Sequence, residues 1–365
     1  MRSRAGRPDV LIVATVSALL VLGIVVVMSA ASVTDFIEYG DPYYHFKRQV
    51  VWAVVGVAVM LVLARVDYRF LRLVTAPVLA AAFLLLTMVL FFGTQVGGAR
   101  RWLSLGFFNV QPSEIMKLAL IMYLSAYIAA KRGQVRRFFT GLLPPLLVTG
   151  LAAGLILLEP DFGTAFTLLV TGALVLFAGG ANLWHLAGVG LAAAPVAWYL
   201  IRSEPYRLRR LMAFWDPWAD RMDSGWNVVQ SLLAIGSGGL FGLGLGEGRQ
   251  KYLYVPEQHT DFIFAILGEE LGFVGTTAVL VLFSVFAWRG FRAALRAPDL
   301  YGCMMAVGIT GMIVFQALLN IGVATGSLPT TGITLPFISV GGSSLVVTLA
   351  GVGILLNISS HETRA

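Results

Sequence analysis

Residues 254–272 read YVPEQHTDFIFAILGEELG, a polar approach containing Pro256 that runs straight into an apolar helix still carrying acids. Asp261 stands at the mouth of that helix. On a straight helix Glu269 lies roughly 12 Å deeper than Asp261, and Glu270 points nearly the opposite way. Such apolar surroundings are those of a membrane segment. Acids inside one are functional candidates by default, with a buried ion pair to Arg or Lys as the bland alternative.

Outward from this stretch the chain keeps the same character. Its 365 residues are 58% hydrophobic and 12% charged, and the mean hydropathy is +0.83. These values exclude a soluble globular domain and specify an integral membrane protein. The 40 glycines and 14 prolines fall inside or beside apolar runs, where small residues let helices approach and Pro is tolerated. The single cysteine, Cys303, excludes an internal disulfide and a Cys-based metal cage.

Ten apolar windows predict membrane helices at roughly 10–30, 48–66, 74–93, 113–130, 141–159, 163–181, 184–201, 260–287, 301–325 and 343–358. The expected fold is an all-α polytopic bundle, one membrane domain over 1–365, with both termini on one side. The first window follows Arg2, Arg4 and Arg7 and lacks a small-residue cleavage pattern, so it reads as a helix and not as a removable signal. The positive-inside rule makes the termini cytoplasmic. Inner loops then carry Arg65, Arg69 and Arg72, next Lys131, Arg132, Arg136 and Arg137, and finally Arg289, Arg292 and Arg296.

The opposite side is also basic, with Lys47, Arg48, Arg100 and Arg101 in early loops. A long extracytoplasmic loop between helices 7 and 8, about 202–259, is expected to carry Arg202, Arg207, Arg209, Arg210, Arg221, Arg249 and Lys251. Outer basic clusters oppose the orientation signal and point to a task. The same loop holds WDPW, an amphipathic stretch from Asn227 to Ile235 and the run GSGGLFGLGLGEG. It is too patterned for a connector.

Several residues could carry chemistry. Asp261 could be a partly desolvated general base, or a helix cap facing the dipole. Glu114 and Lys117, in QPSEIMKLAL, share a helix face at i,i+3, either as a local ion pair or as the lining of a polar cavity. Arg101, in GARRW, fits an interfacial anchor beside Trp102. Arg207, Arg209 and Arg210, in PYRLRRLMAFWDPW, fit phosphate binding through paired guanidinium donors, against a generic anionic-lipid patch. EPDFGT (159–164) is a tight turn in which Asp161 reads as structural. In LPTTGITLPFISVGGSS (328–344), Gly341, Gly342, Ser343 and Ser344 cap the last helix or offer donors to an anion. The Gly-rich run lacks GxxxxGK[ST] and a preceding strand, which argues against a nucleotide loop. His45 and His259 make no metal-ligand spacing.

Together PEQHTDFIFAILGEELG, GARRW with QPSEIMKLAL, EPDFGT, PYRLRR, GWNVVQSLLAIGSGG and LPTTGITLPFISVGGSS resemble the SEDS family, whose members polymerise peptidoglycan glycan strands from lipid II. The likeness spans nearly the whole chain, and PYRLRRLMAFWDPW, YGDPYYHFKRQ and TTGITLPFIS look closer to its FtsW/SpoVE branch than to RodA. One departure is Val340, where the family loop usually carries Tyr.

The resemblance implies an inverting glycosyl transfer in cell division. The 4-hydroxyl of one lipid-linked disaccharide attacks the anomeric carbon of another, and undecaprenyl pyrophosphate leaves. It implies Asp261 as the essential residue and base, with Arg101, Glu114, Lys117, Arg207, Arg209, Arg210, His259 and Ser343 lining the substrate site. No cofactor is expected beyond a divalent cation, Mg or Mn. The implied partners are a class B penicillin-binding protein, other division proteins and membrane lipid, with no nucleic acid. The implied location is the bacterial inner membrane, with the site facing outward. A RodA-like elongation polymerase, a lipid II flippase and a non-enzymatic division scaffold remain as alternatives. A transporter commonly shows inverted repeats and midplane ionisable groups, whereas no repeat is visible here and the polar constellations gather toward the outer face.

Overall fold

The computed structural model describes residues 6–96, 99–104, 106, 108–220, 225–250 and 260–361. The chain opens with α1 (Val10–Tyr39), α2 (Tyr44–Arg65) and α3 (Tyr68–Phe92). Their boundaries follow local chemistry. Asp9 accepts the N–H groups of Leu11 and Ile12, Asp67 accepts that of Arg69, and Gly40 closes α1 in the left-handed conformation.

A small antiparallel sheet follows, β1 (Thr94–Val96), β2 (Ala99–Ser104) and β3 (Asn109–Val110), in that spatial order. The hydropathy windows did not resolve it, because such short strands between helices leave no apolar run. Next come α4 (Pro112–Ala130), α5 (Leu143–Leu158, entered through a π-helical turn at Phe138–Leu142), α6 (Phe162–Ala178) and α7 (Leu183–Arg202). Then follow α8 (Pro205–Trp215), α9 (Trp226–Ser237), α10 (Ile263–Leu295), α11 (Leu300–Ala324) and α12 (Gly342–Ser360).

Among the described residues nine helices are long and apolar enough to cross a membrane, and α6, with 17 residues, falls just short. These ten correspond to the ten predicted windows. The main core joins α1, α2, α10, α11 and α12, and a second joins α3 to α6. α7 buries none of its residues and offers its apolar surface to lipid. The stretch expected as a long loop is in part helical: α8 and α9 occupy it, and α9 packs against α10.

The first and last described segments meet. The Gly6 N–H donates to the Ser360 carbonyl, the Asp9 N–H donates to the Ser359 hydroxyl, and Arg289 pairs with Asp9. Higher on the same two helices the Ser29 hydroxyl donates to the Glu270 carboxylate over 2.6 Å. Both helices separate these two levels by about 30 Å, the thickness of a hydrocarbon core. Glu269 and Glu270 therefore sit at one boundary of that core and not at its middle, and Asp261, earlier in the chain, stands at or beyond it.

α10 is not one continuous helix. Gly272, at φ 67° and ψ −163°, breaks it, in a backbone region that is essentially closed to side-chain-bearing residues. The Gly-rich turn after α9 fills the gap. The Leu243 and Gly244 N–H groups donate to the Glu269 and Glu270 carbonyls over 3.0 and 3.1 Å, and the Phe273 and Val274 N–H groups donate to the Gly239 and Leu240 carbonyls over 2.9 and 3.1 Å. The Glu269 and Glu270 carbonyls and the Phe273 and Val274 N–H groups, freed near the break, thus find partners, as irregular backbone at membrane depth requires. The glycines permit the approach: a Cβ on Gly242 would stand 2.2 Å from the Glu270 carbonyl oxygen.

Candidate active site

Asp261 occupies the turn before α10. The N-cap is Phe262, so Asp261 lies one position outside the cap. Its backbone carbonyl accepts from Asn320 on α11 over 2.8 Å, and the same amide group donates to the Ile333 carbonyl over 2.7 Å. An Asp261 carboxylate oxygen lies 3.6 Å from where a Cβ on Gly332 would be, so the 332–334 segment forms the wall facing it. Ser339 braces the turn from the other side. It donates to the Thr260 carbonyl over 2.6 Å and accepts from the Leu335 N–H over 2.8 Å, while Gln49 on α2 donates to the Ser339 carbonyl. Val340 packs its side chain against the main core.

One helical turn from Asn320, Gln316 extends this scaffold. Its amide nitrogen donates to the Thr334 carbonyl over 3.1 Å and its oxygen accepts from the Lys117 ammonium over 2.9 Å. Lys117 also pairs with Glu114 at 2.9 Å, and both side chains are buried. The pair is a local ion pair that is also tied across helices, through Gln316, to the segment beside Asp261. One Glu114 carboxylate oxygen and the Asn320 side-chain oxygen are buried without a hydrogen-bond partner among the described residues. Such groups are costly unless something completes them.

Arg101 and Arg207 flank the turn after α5. The Arg101 guanidinium donates to the Glu159 and Pro160 carbonyls and stands 4.0 Å from the Asp161 carboxylate. Arg207 lies 4.2 Å over the Phe162 ring and donates to the Leu200 carbonyl over 2.8 Å. Asp161 is structural in part. It caps α6 through the Thr164 N–H and hydroxyl, and it accepts from the Gln111 side chain. Glu159 differs, being fully buried with both carboxyl oxygens lacking a hydrogen-bond partner among the described residues. Burial pushes its carboxyl up to about 8, with Asp161 adding to the rise and Arg101 opposing it.

Ser343 joins α12 to the sheet by donating to the Asn109 carbonyl over 3.0 Å and accepting from the Gln111 N–H over 3.2 Å. Arg209 and Arg210 lie on α8, Arg209 exposed and Arg210 half-buried. His259, like Arg221 and Lys251, lies outside the described residues. The sequence reading missed Gln316 and Asn320. Their signal was there, two amides at i,i+4 on one face of an otherwise apolar helix, but uncharged residues attract less attention than the acids nearby. The described residues hold no cluster of three or more His, Cys, Asp or Glu able to cage a metal.

These features define a polytopic helical membrane protein with an acid-containing polar site built at one mouth of its bundle. The chain belongs to the FtsW/RodA/SpoVE family, described as "Cell cycle protein", whose profile matches residues 9–364. It is 44% identical to "Stage V sporulation protein E" of Bacillus subtilis, over 99% of this chain and all of that one. It is 43% identical to "Probable peptidoglycan glycosyltransferase FtsW" of Trichlorobacter lovleyi, over 98% of this chain and 94% of the relative. Among solved structures it matches rod shape determining protein RodA of Thermus thermophilus at a TM-score of 0.73 and 34% identity, over 98% of both chains. It also matches a chain from "Structural coordination of polymerization and crosslinking by a peptidoglycan synthase complex" at a TM-score of 0.80 and 32% identity, over 96% of this chain and 97% of that one.

Proposed function

We propose that this protein is a peptidoglycan glycosyltransferase that polymerises lipid II, with Asp261 as general base. The observation that carries the reading is the placement of Asp261: it precedes a half-helix enclosed by protein, and its backbone is fixed by Asn320 and the Thr260–Ser339 contact. A carboxylate so held can take the proton of an attacking 4-hydroxyl without reorganising. Arg101 and Arg207, on either side of the 159–162 turn, with Arg210 further along α8, supply positive charge for the departing pyrophosphate. Glu114 and Lys117 act through Gln316, holding the 332–334 wall in register with the base. A divalent cation would supply further positive charge to the pyrophosphate. Among the described residues there is no cage for one, so the ion would arrive with the phosphates, as Mg commonly does, and Asp261 would be a carboxylate available to it.

The site opens extracytoplasmically and both termini are cytoplasmic. This follows from the basic loops at the terminal end of the bundle. The membrane is the bacterial inner membrane, the task is division-type wall synthesis, and the partner is a class B penicillin-binding protein that crosslinks the strands. Purified Asp261→Asn protein should bind lipid II and form no polymer, with or without the partner. Substantial polymer from that variant would remove Asp261 from the base role.

A further inference from the structure

The end of the bundle remote from Asp261 holds a feature that the glycosyl transfer does not use. Between the connection after α4 and the α6–α7 turn lies a cavity of about 490 Å³, lined by Gly133 and Arg136 on one side and by Phe177, Gly180, Asn182 and Leu183 on the other. Cavities of this size accept small ligands. Residues 131–137 carry Lys131, Arg132, Arg136 and Arg137 and no acid. All four side chains are exposed, and none makes an ion pair or side-chain hydrogen bond among the described residues.

Two other cations at this end are matched. Arg289 holds Asp9, and Arg69 reaches Asp67 and Asp299. An orientation bias accounts for basic residues on the connection. It does not account for the cavity beside them, whose wall includes Arg136. The walls also have an apolar continuation: Phe177 is 53% exposed, Trp184 is 83% exposed and α7 buries no residue. A charged mouth opening onto a lipid-facing helix fits a ligand with an anionic head and acyl tails.

We propose that this cavity binds the phosphate headgroup of an anionic phospholipid, with Arg132 and Arg136 meeting the phosphate and the acyl chains lying along Phe177 and the outer face of α7. Guanidinium pairs suit phosphate oxygens, and basic pockets between helices at this kind of membrane surface are a recognised headgroup device. The inference rests on membrane insertion of the bundle and not on the polymerase reading.

The test uses the purified full-length chain in detergent, titrated with phosphatidylglycerol, with phosphatidylcholine and with inorganic phosphate alone. Binding is read by native mass spectrometry and by the thermal unfolding midpoint. Phosphatidylglycerol should bind saturably and raise the midpoint, while phosphatidylcholine and phosphate should not. The double variant Arg132→Gln/Arg136→Gln should weaken that binding by about tenfold or more. The double variant Arg65→Gln/Arg292→Gln, which removes equal charge from the same end, should bind as the wild type does. Three results would overturn the proposal: equal binding of the two lipids, equal weakening by both double variants, or full protection by inorganic phosphate alone.

Discussion

The two segments of α10 on either side of Gly272 are made of similar apolar residues and live in different solvents. From Ile263 to Glu270 every residue is buried. From Phe273 onward, buried Thr276, Val279, Phe283 and Phe286 alternate with exposed Phe273, Val274, Val281 and Trp288. The second segment is an ordinary membrane helix with one face on lipid. The first is enclosed by protein all round, is joined laterally through backbone hydrogen bonds at its end, and carries the acids. Enclosure is what lets a short helix hold Asp261 in one place, and the break is what lets the Gly-rich turn reach in and enclose it.

The contrast predicts where substitutions matter. The largest effect belongs to Asp261→Asn, which keeps the shape and removes the base. Polymerisation of purified lipid II should fall by about 10²–10⁴-fold, with the thermal midpoint nearly unchanged. A comparable fall in stability would mean that the residue serves the fold and not the reaction. Next is Gly272→Ala. A Cβ there would lie 2.3 Å from the Gly242 nitrogen in a backbone conformation reserved for glycine, so a loss of about 3 kcal/mol or more is expected, read as a lowered unfolding midpoint in lipid nanodiscs. An unchanged midpoint would mean that α10 can run straight, and the division into two segments would fail.

Much of the bundle was legible from hydropathy, because a membrane helix announces itself by some twenty consecutive apolar residues. The break was not. Gly272 sits in LGFVG, where a glycine reads as a packing residue, and its partner segment, GLFGLG, is equally apolar. The conformation of each depends on the other, which no local pattern records. At the site, charge made Asp261, Glu114, Lys117 and Arg101 visible. The amides that tie Lys117 and Asp261 to the 333–334 segment, Gln316 and Asn320, carry none. Asp261 itself stands one position before the N-cap residue Phe262.

Glu269 sharpens the comparison further, because its carboxylate accepts the Arg249 and Gln250 N–H groups, at 2.7 Å and 3.2 Å. It anchors the backbone at Arg249 and Gln250. Glu269→Ala should leave both donors without a protein acceptor and cost about 1–3 kcal/mol, whereas Glu269→Gln, which keeps one acceptor oxygen, should recover most of that loss. Equal midpoints for the two variants would show that the anchoring contact is idle.

Glu159, the buried acid without donors, should behave in the opposite way. Its folded-state value of about 8 lies above the ordinary 4.5. The folded form therefore holds its proton more tightly than the unfolded chain does. The stability it contributes is fully present below about 4.5, declines as pH rises and is gone above about 8. Glu159→Gln is neutral at every pH, so the variant should match the wild type near pH 5 and exceed it at pH 9 in thermal unfolding. An identical pH slope in the two proteins would mean that a donor reaches this carboxyl.

The smallest effect is expected on the lipid-facing side of the second segment. Val281 is 54% exposed, and acyl chains are as apolar as the side chain they would replace. Val281→Ala therefore opens no sealed cavity, and surrounding lipid closes over the missing methyl groups. The cost should stay within about 0.5 kcal/mol, with lipid II polymerisation unchanged. A loss several times larger would show that this face is covered by protein in the membrane and not by lipid, and the second segment would then be enclosed as the first one is.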